Sequence, residues 1–228
     1  METPYKVITT TWEPDEIREA CEKSRAALRN LSHDLLINLA NVENLFLVTT
    51  YEDDVNIFYV SYGVKHRAWE WGSRDMMFDF RLHDDDASPT EQQQQERMAI
   101  LTAAANCTGH LLLYELELSE EEERALVEAL SLAADRHAGP NSLVIDRITF
   151  KDAHGLLSAL KKNKRLKHLS LQNMYMSDEC VEVLSDFTSL TSLHLHNVEV
   201  ASEEFVVKLA DLHPSHSPLA ASLQRLHI

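Results

Sequence analysis

The sequence predicts an α/β chain in which parallel strands alternate with backing helices, preceded by a small α+β region. Three observations carry this. The stretch "LKHLSLQN" at 166–173 returns as "LTSLHLHN" at 190–197. Four strand-like segments share apolar residues at their first, third, sixth and eighth positions, and a helical pattern follows each. The N-terminal part lacks that frame and holds one helical stripe and three β-rich runs instead.

Taken in order, Trp12-Glu13-Pro14-Asp15 leads into a stripe in which Ile17, Cys21, Leu28, Leu31 and Leu35 recur at helical spacings. "NLFLVTTY" and "VNIFYVSYGV" follow, rich in β-branched and aromatic residues. Glu52-Asp53-Asp54 between them suits a hairpin turn. "MMFDFRLH" (76–83) is the third strand of this antiparallel sheet. The polar run "DDDASPTEQQQQER" (84–97) marks a boundary. Within it Ser88 suits an N-cap, Pro89 the first helical position and Glu91 the capping-box acid. Met98, Leu101 and Ala105 continue that helix. The expected organisation is a helix plus small antiparallel sheet over 1–87, a linker helix over 88–106, and repeats over 107–228.

The repeats begin with "LLLYELEL" (111–118) and the helix "SEEEERALVEAL". "LVIDRITF" (143–150) precedes "KDAHGLLSAL", "LSLQNMYM" (169–176) precedes "SDECVEVLSDF", and "LHLHNVEV" (193–200) precedes "ASEEFVVKLADL". A fifth unit starts at "LQRLHI". The third residues of the frame are Leu113, Ile145, Leu171, Leu195 and Ile228, spaced by 32, 26, 24 and 33. The inserts "AADRHAGPN" and "HPSHSP" account for the longer spacings. Alternate side chains of a strand share one face, and one strand cannot bury that face alone. Stacked neighbours and a backing helix can. Ser119 with Glu122 forms a full capping box, whereas Ser177 with Cys180 and Ser202 with Phe205 mark helix starts without one.

The stretches "GLLSALKKNKRLKHLSLQN" and "SDECVEVLSDFTSLTSLHLHN" resemble the leucine-rich-repeat superfamily, and within it the ribonuclease-inhibitor-like subclass. The resemblance spans 111–228. The family sets Asn or Cys at the ninth position of L-x-x-L-x-L-x-x-N; here Met174 or Val198 stands there, and the Asn lies one residue earlier. The resemblance implies a curved right-handed solenoid whose concave sheet binds other proteins. The concave residues would be Lys167, His168, Ser170, Gln172 and Asn173 in one repeat. Thr191, Ser192, His194, His196 and Asn197 follow in the next, and Arg225 and His227 continue the row.

Charge narrows the partner. Lys plus Arg is 21 against 37 Asp plus Glu, a net −16. A phosphate backbone or an anionic membrane surface would repel this chain, so neither nucleic acid nor membrane is expected. A protein with basic patches is the natural partner on this argument. No apolar run is long enough to span a bilayer, and the N-terminus lacks the apolar stretch of a signal peptide. Cys21, Cys107 and Cys180 lie far apart and form no C-x-x-C pair, which points to a reducing, cytoplasmic setting, with the nucleus left open. The acceptor patterns at Asn30 and Asn106 are then chance.

Catalytic signatures are missing: there is no G-x-S-x-G, no phosphate-binding glycine loop and no H-E-x-x-H. Cys180 falls on the apolar side of its helix and reads as core. The unusual feature is histidine. Register sets His194 beside His227, with His196 two residues along the same face. Three imidazoles can hold Zn or Cu, yet only Glu199 is near enough to orient them, so no metal or cofactor is expected. A pH-sensitive contact surface is the competing reading, beside ordinary surface histidines. "HDDD" (83–86) and Asp53-Asp54 read as solvated loops. Trp69 and Trp71 share a strand face, a core face before a binding one.

The expected function is a non-catalytic protein-protein interaction scaffold. An enzyme or ligand-binding domain within 1–105, positioned by the repeats, is the alternative. Ile228 completes its frame with nothing after it, so an array that continues, self-association through the open end, and a capping half-repeat all stand.

Overall fold

A computed structural model describes residues 42–52, 55–67, 70–79 and 91–228. The N-terminal helical stripe with Cys21, the Asp53-Asp54 turn, Trp69, "HDDD" and the Ser88-Pro89 cap lie outside the described residues.

The fold is α/β. Its strands are β1 (Val42–Glu52), β2 (Val55–Arg67), β3 (Glu70–Asp79), β4 (His110–Tyr114) and β5 (Ser142–Asp146). They continue as β6 (His168–Gln172), β7 (Tyr175–Met176), β8 (Ser192–His196), β9 (Glu199–Val200) and β10 (Arg225–His227). The helices are α1 (Glu91–Ala104), α2 (Glu120–Asp135), α3 (Ala153–Lys162), α4 (Glu179–Ser185), α5 (Glu203–Ala210) and α6 (Pro218–Ser222).

Eight strands make one sheet in the order β10-β8-β6-β5-β4-β1-β2-β3. β4, β5, β6, β8 and β10 are parallel and in register, so Leu113, Ile145, Leu171 and Leu195 pair in sequence. β1 runs parallel to β4, with Leu45 opposite Leu111 and Leu47 opposite Leu113. β2 pairs antiparallel with β1 on one side and with β3 on the other. β3 begins at Glu70 and ends at Asp79, where the sequence suggested 76–83; Trp71 thereby pairs with Lys65.

The inward rows are dry. Leu113, Leu143, Ile145, Leu171 and Leu193 are all 0% exposed. Leu126 of α2, Leu156 and Leu160 of α3, Leu184 of α4 and Phe205 of α5 join the same core cluster. Each such side chain contributes roughly 1.5–3 kcal/mol of burial. Cys107 and Cys180 are buried in it too.

One expectation is corrected. Each eight-residue strand is in fact five residues followed by a break. The residue after the strand adopts a left-handed backbone: Glu115 (φ 53), Arg147 (φ 54), Asn173 (φ 51) and Asn197 (φ 50). That conformation ends the pleat and redirects the chain. The later apolar pairs then form a separate two-stranded sheet of β7 and β9. Three of these left-handed residues donate the backbone N–H to the last residue of the next strand: Glu115 to Asp146 O at 3.0 Å, Arg147 to Gln172 O at 3.1 Å and Asn173 to His196 O at 3.0 Å.

The helix starts have local causes. Ser119 Oγ accepts from Glu122 N at 3.3 Å, and Glu122 Oε2 accepts from Ser119 N at 2.9 Å, completing the capping box. Glu122 is buried and also meets Arg97 Nε of α1 at 2.9 Å. Glu123, buried as well, reaches into the next unit: its two oxygens accept from Lys151 N at 3.0 Å and Asp152 N at 2.9 Å. It thus satisfies orphan donors at the start of α3. Ser202 caps α5 through Glu204 N, whereas α4 starts at Asp178 with no side-chain cap bond. The insert around "HPSHSP" ends in α6, which the sequence did not announce; Ser217 caps it and Pro218 opens it.

Candidate functional site

The outward rows of the parallel strands form the candidate site. His110, Ser142, His168, Ser192 and Arg225 make one row. Leu112, Val144, Ser170, His194 and His227 make the next. Tyr114, Asp146, Gln172 and His196 make the third. Side chains alternate along a strand, so these rows face away from the core. Over β6, β8 and β10 the outward residues are half-buried or exposed, while Leu112 on β4 is buried. The helices put their buried residues against the opposite face, and no described helix covers this one.

The histidines meet as register requires. The His194 and His227 rings are 5.5 Å apart, edge to face, and His194 and His196 are 6.0 Å apart. Partial burial, then the neighbouring His227 and His196, hold the His194 pKa below the usual imidazole value. Burial does the same to His168, helped by Arg225 and His110. Gln172 Nε2 donates to Ser170 Oγ at 2.8 Å, spanning two outward positions of β6. Lys167 and Arg225 are both exposed. Lys167 precedes β6 and Arg225 opens β10, and Thr191 of the unit between links their backbones: Thr191 N donates to Lys167 O, and Arg225 N donates to Thr191 O.

Two predicted face residues lie elsewhere. Asn173 and Asn197 are left-handed corner residues at the strand ends, not strand residues between leucines. Their amides form a chain along the corners. Asn197 Nδ2 donates to Asn173 Oδ1 at 2.7 Å, and Asn173 Nδ2 donates to Asp146 Oδ1 at 2.6 Å. At the equivalent earlier corners Arg147 donates to Glu115 at 2.6 Å and lies 5.5 Å from the Tyr114 ring centre. Burial, then the Glu115 charge, raises the Tyr114 pKa. His110, Tyr114 and Asp146 belong to the outward rows and were not singled out from the sequence. Their signal was present, since they stand in the frame positions of His168 and Gln172.

Among the described residues no group of three or more His, Cys, Asp or Glu is arranged to hold a metal ion. None of the described helices is long and apolar enough to cross a membrane. On the helix side a groove of about 640 Å³ runs between α2 and α3, lined by Glu120, Arg124, Glu128, Lys151 and Lys162 among others. Its lining includes neither His nor Cys. Within it Glu120 pairs with Lys151, and Lys162 Nζ donates to Ser131 Oγ at 2.8 Å.

No family model matches the chain, and no curated protein matches it. Among solved structures it is similar to a chain of the Chaetomium Mex67:Mtr2 subunits, at 20% identity and a TM-score of 0.38. That match covers 60% of this chain and 89% of the other.

Proposed function

We propose that residues 107–228 are a leucine-rich-repeat solenoid of the ribonuclease-inhibitor-like type, and that the chain is a non-catalytic module binding a partner protein. The binding face is the outward side of β6, β8 and β10. One observation carries this reading: a polar, open sheet face stands back to back with a sealed apolar one. A strand row whose outward residues are His, Ser, Gln and Arg does not contribute to the core. It offers a rigid array of hydrogen-bonding groups at fixed strand spacing.

Affinity capture from native extract tests it, comparing the natural chain with a Lys167→Glu, His194→Glu variant. The expected result is loss of specific partners from the variant. An unchanged partner set rejects this face. Self-association belongs to the same reading, since Leu226 and Ile228 at β10 are 42% and 71% exposed. A monomer in sedimentation at tens of micromolar rejects it.

A further inference from the structure

We infer that the partner seated on the β6–β8–β10 face is an acidic protein segment, held by carboxylates on Lys167, Arg225 and the imidazoles of His168, His194, His196 and His227. The inference rests on the proposed binding face and names the chemistry of its occupant.

The net charge of −16 describes the whole chain, not this face. The parallel strands β4, β5, β6, β8 and β10 hold a single carboxylate, Asp146, and it is bonded to Asn173. Glu199 lies beyond the corner on β9. The same strands hold His110, His168, His194, His196, His227 and Arg225. Exposed acids of this half concentrate on the helices instead, as Glu120, Glu121 and Glu128 of α2, Glu179 and Glu182 of α4, and Glu203 of α5 show. Charge complementarity therefore asks for opposite partners on the two sides: carboxylates for the sheet, cations for the acidic helices. A nucleic acid fits the sheet less well. On the outward rows of β6, β8 and β10 the permanent charge is that of Arg225, with Lys167 just before β6, and phosphate binding depends on many such contacts.

The groups around His194 define how the face responds to pH. His196 faces it from its own strand, His227 and Arg225 from β10, and His168 from β6, with Lys167 in the turn before. No carboxylate of the described residues bonds to any of these rings. A ligand carboxylate would be the first, and would favour the protonated imidazole. Binding should then take up protons and tighten as pH falls through the imidazole range.

The test is selection of random dodecapeptides on the full chain at about pH 6, the lower part of the imidazole range. The peptides that count are those lost on a Lys167→Glu, Arg225→Glu variant that still folds by circular dichroism. Enrichment of Asp and Glu in this set is expected. The affinity of the best peptide should weaken on the order of 10-fold by about pH 7.5, with most of that dependence gone in a His194→Gln, His227→Gln variant. Face-dependent peptides rich in Lys or Arg, or without charge bias, overturn the inference but leave the binding face standing. So does an affinity flat with pH, or a mixed-sequence single-stranded oligonucleotide that displaces the peptide more tightly than the peptide binds. An absence of any face-dependent peptide sinks both.

Discussion

Asn197 donates a hydrogen bond to Asn173 at 2.7 Å, and both residues hold the same left-handed backbone at the end of a strand. The parallel register of β6 and β8 thus extends beyond their leucines into the corner, where one amide supports the next.

Asn is among the few non-glycine residues that tolerate this conformation, and a β-branched residue is not. Asn173→Val should cost about 2–3 kcal/mol, from backbone strain and lost amide bonds. Asn173→Gly removes the strain and should cost about 1 kcal/mol from the bonds alone. Urea unfolding of the two variants measures the difference. Equal losses would show that the corner backbone carries no strain.

Glu123 is buried on α2 and caps the backbone that opens α3. Glu123→Ala leaves two donors without their acceptor and should destabilise by about 2–3 kcal/mol. Glu123→Gln keeps one acceptor oxygen and should lose less. Hydrogen exchange at Lys151 and Asp152 should speed up in the alanine variant.

Gly139 sits at φ +93, where an added Cβ would lie 3.0 Å from Asn163 Nδ2. That amide donates to Pro140 O at 2.8 Å and is buried. Gly139→Ala should therefore cost about 1–2 kcal/mol, from strain and from crowding this bond. Thermal unfolding reads the loss.

His168 and His194 both have lowered pKa values in the folded chain, chiefly through burial. Between the folded value and the ordinary one the unfolded chain binds more protons. Stability supplied by the neutral rings is present above the ordinary imidazole value and is lost as pH falls through the folded value. The melting temperature of the free protein should fall on acidification through the imidazole range. His194→Gln should make that fall smaller, and an identical pH profile in the variant would contradict it.

Much of this fold is legible in residue order because burial imposes its own period. Leu169 and Leu171, or Leu193 and Leu195, alternate with Ser170 or His194, and the parallel register follows from repeating that alternation. The breaks after five residues are less legible. Asn173 and Asn197 favour a left-handed corner, but Glu115 and Arg147 do not, and only stacking brings all four to one conformation. Glu123 looked like one more acid in a helix's first turn; its partner is backbone 28 residues away, which no local pattern encodes. The outward face was legible from Lys167 and His168 onward. Its continuation to His110 required knowing that the first two units stack in the same register.

A body with imidazoles on one broad side and acid-rich helices on the other is electrically lopsided. Once those imidazoles are protonated, the strand side would draw in a negatively charged visitor that the helices turn away. Added salt should therefore slow arrival more than it shortens the lifetime of what has already docked.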